Sequence, residues 1–257
     1  MRYEVLGPLR MMGKDDYGSI NARKSAVTLA VLLVCADQIV SIDRLVTEVW
    51  NEHTPRRTSA AVHVYISQLR KLLGACSATS AIDTVTPGYR LVLGSDELDL
   101  HAFQRLVALG RERERQGRDE DAVGLLESAL GLWRGPALDG LRGGPVVDGF
   151  ATWLEECRLE CFEMMVEVKL RLGRHREVVA PLRRLIAEHP LRETFCRQLM
   201  LALYHADRAA DALRQYQHTR RILVDELGLE PGRALREVHQ AILADDVLPS
   251  VVPRRVA

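Results

Sequence analysis

No segment of this chain is apolar enough to cross a bilayer. The longest nearly apolar run, Ala26–Ala36, has 11 residues and is interrupted by Thr28, against the roughly 20 that a spanning helix needs. Net charge is absent too: Lys+Arg and Asp+Glu are 35 each over 257 residues, so whole-chain electrostatics points to no partner. Lysine is scarce. Only Lys14, Lys24, Lys71 and Lys169 among the 35 basic residues are not arginine, a bias that a GC-rich coding sequence produces by itself. The five cysteines, Cys35, Cys76, Cys157, Cys161 and Cys196, show no paired spacing. An odd count without a signal peptide fits a reducing cytoplasm and no disulfide framework. There is no nucleophile motif, no metalloprotease helix and no Gly-rich phosphate loop. Cys157 and Cys161 lie one helical turn apart with His175 nearby in sequence, but the closing ligand pair of a zinc site is missing. These absences predict a protein that is not an enzyme and holds neither metal nor cofactor.

What is present is an ordinary globular mix, 47% hydrophobic and 27% charged, enough to bury cores in two domains. The charge divides unevenly. Residues 1–95 carry 11 basic and 8 acidic side chains, and the remainder is mildly acidic, which directs a search for a nucleic-acid surface to the front of the chain.

That front part mixes strand and helix signals. Tyr3–Leu6 alternates like a short strand, and Ser19-Ile20 is a second candidate. Lys24–Ala36 is apolar enough for a buried helix, and Ile39-Val40 is long enough only for a bridge. Ser41 is placed to cap a helix over Ile42–Trp50, where Ile42, Leu45, Val46 and Val49 share one stripe. Asn51–Arg57, with Pro55, reads as a loop. Thr58 or Ser59 is placed to cap a further helix that runs to about Leu73 and that Gly74 is expected to close. Ile82–Val85 and Tyr89–Leu93 flank Thr86-Pro87-Gly88 as a hairpin.

After Gly94-Ser95-Asp96 the strand signals stop. Amphipathic helices are predicted near 100–116, 119–133, 147–172, 175–188, 191–205, 208–226 and 231–244, and the tail from Pro249 is expected to fray. The turn at Gly173-Arg174 recurs 34 residues later at Asp207-Arg208, and an earlier echo stands at Gly117-Arg118. That offset is the period of tetratricopeptide helix pairs. Arg111–Arg115, alternating with glutamate, reads as a solvated helix face, and Trp50, Trp133 and Trp153 as anchors of helix packing.

On a helical wheel, Val62, Ile66, Leu69 and Leu73 form one narrow core seam of the helix after Thr58. Ala60, Val64, Ser67 and Lys71 lie opposite, flanked by His63 and Gln68. A helix that enters a major groove needs such a face. Small residues allow close approach, Gln68 can donate to and accept from adenine, and Val64 can touch a thymine methyl. Arg56 and Arg57, at the positive end of the helix dipole, suit phosphate anchoring, and Ser59 and Arg70 complete the surface. The hairpin would supply a wing, with Thr86 at its tip and Arg90 at its base. Strand, three helices and hairpin, in that order, is the layout of a winged helix-turn-helix.

Several stretches in order resemble the Streptomyces antibiotic regulatory protein family over nearly the whole chain. Val40-Ser41-Ile42-Asp43-Arg44-Leu45-Val46 through Val49-Trp50 is similar to its first helix-turn-helix helix, Val64–Gly74 to its recognition helix and Thr86-Pro87-Gly88-Tyr89-Arg90-Leu91 to its wing. Glu97–Leu100, Leu132-Trp133-Arg134-Gly135-Pro136, His189–Glu193 and Asp225–Gly232 follow in the family's order. Three positions depart from the family pattern. Ala26 stands where a basic residue is usual, leaving that phosphate contact to Lys24. Gln68 replaces a frequent Arg, which implies a different base preference, and Thr86 replaces the Arg often found at the wing tip.

The resemblance implies a mainly α protein: a winged helix-turn-helix at residues 1–95, a bacterial transcriptional activator domain of tetratricopeptide-like repeats at 96–248, and a flexible tail at 249–257. It implies a cytoplasmic, nucleoid-associated activator of a secondary-metabolite (antibiotic) gene cluster. Such an activator would bind direct repeats in double-stranded DNA upstream of a promoter, at least as a dimer there, and recruit RNA polymerase holoenzyme. Glu52 and His53, in the loop before the recognition helix, would face the sigma subunit. The chain is expected to stop short of the nucleotide-binding region that larger relatives carry. The competing reading is a helical-repeat scaffold for protein partners whose winged part serves only for docking.

Overall fold

The computed structural model describes residues 1–13, 17, 18, 20, 22–51 and 58–244. Strands β1 (Arg2–Glu4), β2 (Arg10–Met12) and β3 (Tyr17–Gly18) precede helix α1 (Arg23–Val34). Strand β4 (Val40–Ser41), helices α2 (Ile42–Trp50) and α3 (Thr58–Ala75), and strands β5 (Ala81–Val85), β6 (Gly88–Val92) and β7 (Glu97–Leu98) follow. Then come α4 (Asp99–Arg115), α5 (Asp119–Gly131), α6 (Pro145–Arg171), α7 (His175–Glu188), α8 (Glu193–Tyr204), α9 (Ala209–Leu227) and α10 (Arg233–Ala244). Among the described residues no helix is long and apolar enough to cross a membrane.

The chain divides into two compact units. One comprises Met1–Val107 and Ser128–Leu159, the other Ala108–Glu127 and Glu160–Ala257. In the first, α1 is buried along nearly its whole length, which is why its sequence is a run and not a stripe. Ser41 caps α2 by accepting the Arg44 N–H at 3.2 Å. Val62, Ile66, Leu69 and Leu73 of α3 are buried, as the wheel predicts. Gly74 does not end α3: the helix passes through it to Ala75, and the left-handed residue beyond it is Ser77, with φ 52°.

Two small sheets frame these helices. One has the order β4-β6-β5, all antiparallel, with Val40 opposite Tyr89 and Asp83 opposite Arg90. The other has the order β3-β2-β1-β7, and its β7 runs parallel to β1. The second short strand falls at Tyr17–Gly18, and Ser19 lies outside the described residues. Strands β2 and β7 were not anticipated, because two or three residues cannot establish an alternation.

Asp99, the first residue of α4, accepts the Val5 and Leu6 N–H groups at 2.8 and 3.1 Å. Burial pushes its carboxyl up, against the pull of those donors and of Arg134. Arg134 also meets Glu4 at 3.2 Å and donates to the Pro8 carbonyl at 3.1 Å. The Trp133 ring stands edge-on to Phe103, with centroids 5.6 Å apart. The Leu132–Pro136 motif is thus a plug in the unit that contains the winged helix. Trp153, in contrast, anchors no core: it is 45% exposed on α6, tilted against Phe150.

In the second unit the sequence echoes become one repeated turn. Gly117, Gly173 and Asp207 all have left-handed φ, at 71°, 75° and 61°. In each, the following arginine N–H reaches back five residues, Arg118 to Arg113, Arg174 to Lys169 and Arg208 to Leu203. This 6→1 bond satisfies a helix-end carbonyl before the next helix begins. The core between α7, α8, α9 and α10 holds Leu182, Phe195, Leu199, Ala212, Tyr216 and Leu235.

Candidate nucleic-acid interface

Helix α3 presents the face that the wheel assigns. Ser59, Ala60, His63, Val64, Ser67, Gln68, Arg70 and Lys71 are all exposed, and Val64 is 53% exposed in their midst. An apolar side chain at the centre of a polar helical face contributes nothing to the core, but it is available to an apolar group on a partner.

Three contacts fix how this face meets its neighbours. Toward the hairpin, Arg70 Nε donates to the Ile82 carbonyl at 2.9 Å and Nη2 to Thr84 Oγ1 at 2.8 Å, with the guanidinium 5.8 Å from the Tyr89 ring centroid. Along the same side, His63 Nδ1 and the Tyr89 hydroxyl are hydrogen-bonded at 2.5 Å. Toward α1, Ser25 Oγ donates to Gln68 Oε1 at 3.2 Å. The recognition-like helix is therefore strapped on one side to the hairpin and on the other to α1.

The remaining basic residues are arranged around it. Lys24 is exposed at the start of α1, with its ammonium 4.7 Å from the centroid of the Trp50 ring. Trp50 in turn stacks on Tyr65 of α3 at 5.9 Å. Arg90 on β6 pairs with Asp83 across the hairpin at 3.2 Å, and Thr86 is exposed at the hairpin tip. Arg56, Arg57, Glu52 and His53 lie outside the described residues.

Three participants have no signature in the sequence. Ser25 is a buried hydroxyl in an apolar run, Tyr89 reads as a strand core residue, and Glu48 reads as a solvent-facing position of α2. Glu48 is in fact 4% exposed. Its carboxylate accepts from the Val146 N–H at 2.9 Å and the Val147 N–H at 2.8 Å, at the start of α6. Beside it Arg23 donates to the Gly140 and Arg142 carbonyls, and Asn51 donates to Gly143. A cavity of about 150 Å³ lies among these groups and Trp50.

Two family profiles match the chain in sequence. Residues 21–91 match the C-terminal domain of transcriptional regulatory proteins, and residues 98–243 match the bacterial transcriptional activator domain. The transcriptional regulatory protein EmbR of Mycobacterium tuberculosis is 36% identical over 96% of this chain, which spans 64% of the length of that relative. The transcriptional regulator RedD of Streptomyces coelicolor is 37% identical over 94% of this chain and 70% of its own length. The solved structure of Mycobacterium tuberculosis EmbR in complex with a low-affinity phosphopeptide superposes with a TM-score of 0.90 at 35% identity, covering 97% of this chain and 66% of that one. The winged helix, the helical domain that follows it and these relatives place the chain in the Streptomyces antibiotic regulatory protein family of transcriptional regulators.

Proposed function

We propose that the protein is a sequence-specific DNA-binding activator, and that it acts by positioning and not by chemistry. The observation that carries this reading is the exposed face of α3, small and polar with Val64 at its centre, held between the hairpin and α1. Residues 1–95 form the DNA-reading domain in this proposal, and 96–248 the activator domain. Val64, Ser67, Gln68 and His63 lie against base edges in the major groove, with Ser59 and Ala60 permitting close approach. Lys24, Arg56, Arg57, Lys71 and Arg90 neutralise phosphates, Arg70 sets the helix against the wing, and Thr86 marks the wing tip.

The partners in this reading are direct repeats about one helical turn apart, two protomers side by side on them, and RNA polymerase holoenzyme, its sigma subunit meeting Glu52 and His53. The genes served are those of an antibiotic or other secondary-metabolite cluster, and the site of action is the nucleoid in the cytoplasm.

The test is footprinting of the purified protein across genomic fragments of its own source at two salt concentrations. Protected direct repeats beside a promoter, with binding that falls steeply as salt rises, are the expected outcome. Absence of protection at either salt would overturn the reading and move attention to protein partners of the helical repeats.

A further inference from the structure

Gln68 can read adenine with two hydrogen bonds only if both ends of its amide face the groove: Nε2 must donate to N7 while Oε1 accepts from N6. The structure constrains one of those ends. Oε1 accepts from Ser25 Oγ at 3.2 Å, and the Ser25 residue is 4% exposed, so this hydroxyl cannot exchange its partner for water at will. Ser25 is carried on α1, which is buried from Ser25 to Leu33, so the serine is as fixed as the core itself. Gln68, on an exposed helical face, is the mobile member of the pair. A flexible side chain held by a rigid one loses the rotamer freedom it would otherwise use to adapt to different base pairs.

We propose that Ser25 is a specificity-determining residue. It holds the Gln68 carbonyl against the protein and leaves the Nε2 amino group as the reading edge. This rests on the DNA-reading function proposed above. The carbonyl oxygen keeps a second lone pair, but turned toward α1 it is directed away from the base edge; the amino group, with its two hydrogens, then matches the N7 and O6 acceptor pair of guanine. It matches adenine only through N7, and it meets the N4 donor of cytosine as a like group. Ser25 touches no base in this arrangement. It acts through Gln68, and it extends the specificity of the site to a residue 43 positions away on another helix.

The experiment is selection of binding sites from a random duplex library by the full chain, its Ser25→Ala variant, its Gln68→Ala variant and the double variant. Wild type is expected to favour guanine at one position of each half-site. Ser25→Ala frees the amide for the two-bond adenine contact and should shift the guanine-to-adenine ratio at that position by about tenfold toward adenine, the range of a single bidentate pair. Gln68→Ala should flatten that position, and the double variant should match Gln68→Ala. Other positions of the site should be unchanged, which a loss of folding would not produce. A Ser25→Ala profile identical to wild type, with Gln68→Ala altered, overturns the role of Ser25 and leaves DNA reading intact. A wild-type protein that enriches no sequence overturns both.

Discussion

Glu48 on α2 accepts two consecutive backbone N–H groups, Val146 at 2.9 Å and Val147 at 2.8 Å, from a helix that begins nearly a hundred residues later. The first N–H groups of a helix have no partner within it, and its dipole places positive charge there. A buried carboxylate answers both needs, so α2 of the winged helix and the start of α6 are joined by a charge-assisted clamp. Gly144 completes the fit: a Cβ there would come within 2.5 Å of the Glu48 carboxylate.

Removing this carboxylate leaves buried donors unpaired. Glu48→Ala is expected to destabilise the protein by about 2–3 kcal/mol, the cost of orphaned buried donors plus a lost cap. Gly144→Ala should cost about 1–3 kcal/mol by pushing the carboxylate away. Urea unfolding of the full chain measures both. Midpoints within error of wild type for either would show that the N-terminus of α6 is satisfied without Glu48.

Local patterns were legible in the sequence and long-range pairings were not. The stripe of α3, the Ser41 cap and the Thr86-Pro87-Gly88 hairpin each follow from residues within one turn or one strand pair. The repeated turns at Gly117, Gly173 and Asp207 were visible because the same short turn, Gly or Asp followed by Arg, recurs before an apolar-striped helix, although only the last two are 34 residues apart. Glu48, by contrast, occupies a position that solvent would suit equally well in an isolated helix, and only the arrival of Val146 makes it a core residue. Ser25 and Gln68 meet because α1 packs against α3, and no local spacing encodes that. Trp153 misled for the opposite reason: a large aromatic reads as core unless its neighbours are known.

The repeated turns give a contrast between two glycines of the helical unit. Gly173 has φ 75°, whereas Gly124 lies within α5, and a Cβ would meet nothing within 4 Å at either position. Space is equal and only the backbone differs. Gly173→Ala should therefore destabilise by about 1 kcal/mol, and Gly124→Ala should stabilise by about 0.5–1 kcal/mol. Thermal melting of the two variants compares them directly. A gain at Gly173 would contradict the left-handed turn.

Acid should weaken the helical unit through its histidines. The His175 ring is stacked on His205 at 4.6 Å and its Nδ1 is buried without a hydrogen-bond partner; burial, then the neighbouring ring, lowers its pKa. Burial also lowers that of His239, which is stacked on Tyr216. With folded values below the ordinary one of about 6.5, the unfolded chain takes up protons first. Stability is fully present above that value and is lost as pH falls through the folded pKa. The depressed carboxyls of Asp211 and Glu230 act only at lower pH. The melting temperature should fall between pH 7.5 and 5.5, and His175→Gln should flatten part of that fall. An equal slope in the variant would remove His175 from the account.

Lys71 and Arg70 adjoin on α3, yet the proposed complex uses them differently. Arg70 is bonded to Ile82 and Thr84 of the hairpin, so its loss should lower both stability and affinity. Lys71 is exposed on the outward face. Its loss should leave unfolding unchanged and remove one phosphate contact. A contact of that kind carries a characteristic signature: affinity weakens alike for every sequence, and the slope of log affinity against log salt becomes shallower by about 1. Titrating labelled operator with Lys71→Ala and Arg70→Ala at several salt concentrations separates the two roles. A Lys71→Ala protein that keeps the full salt slope would place that side chain away from the phosphates, and the face of α3 would then have to be turned about its axis in the groove.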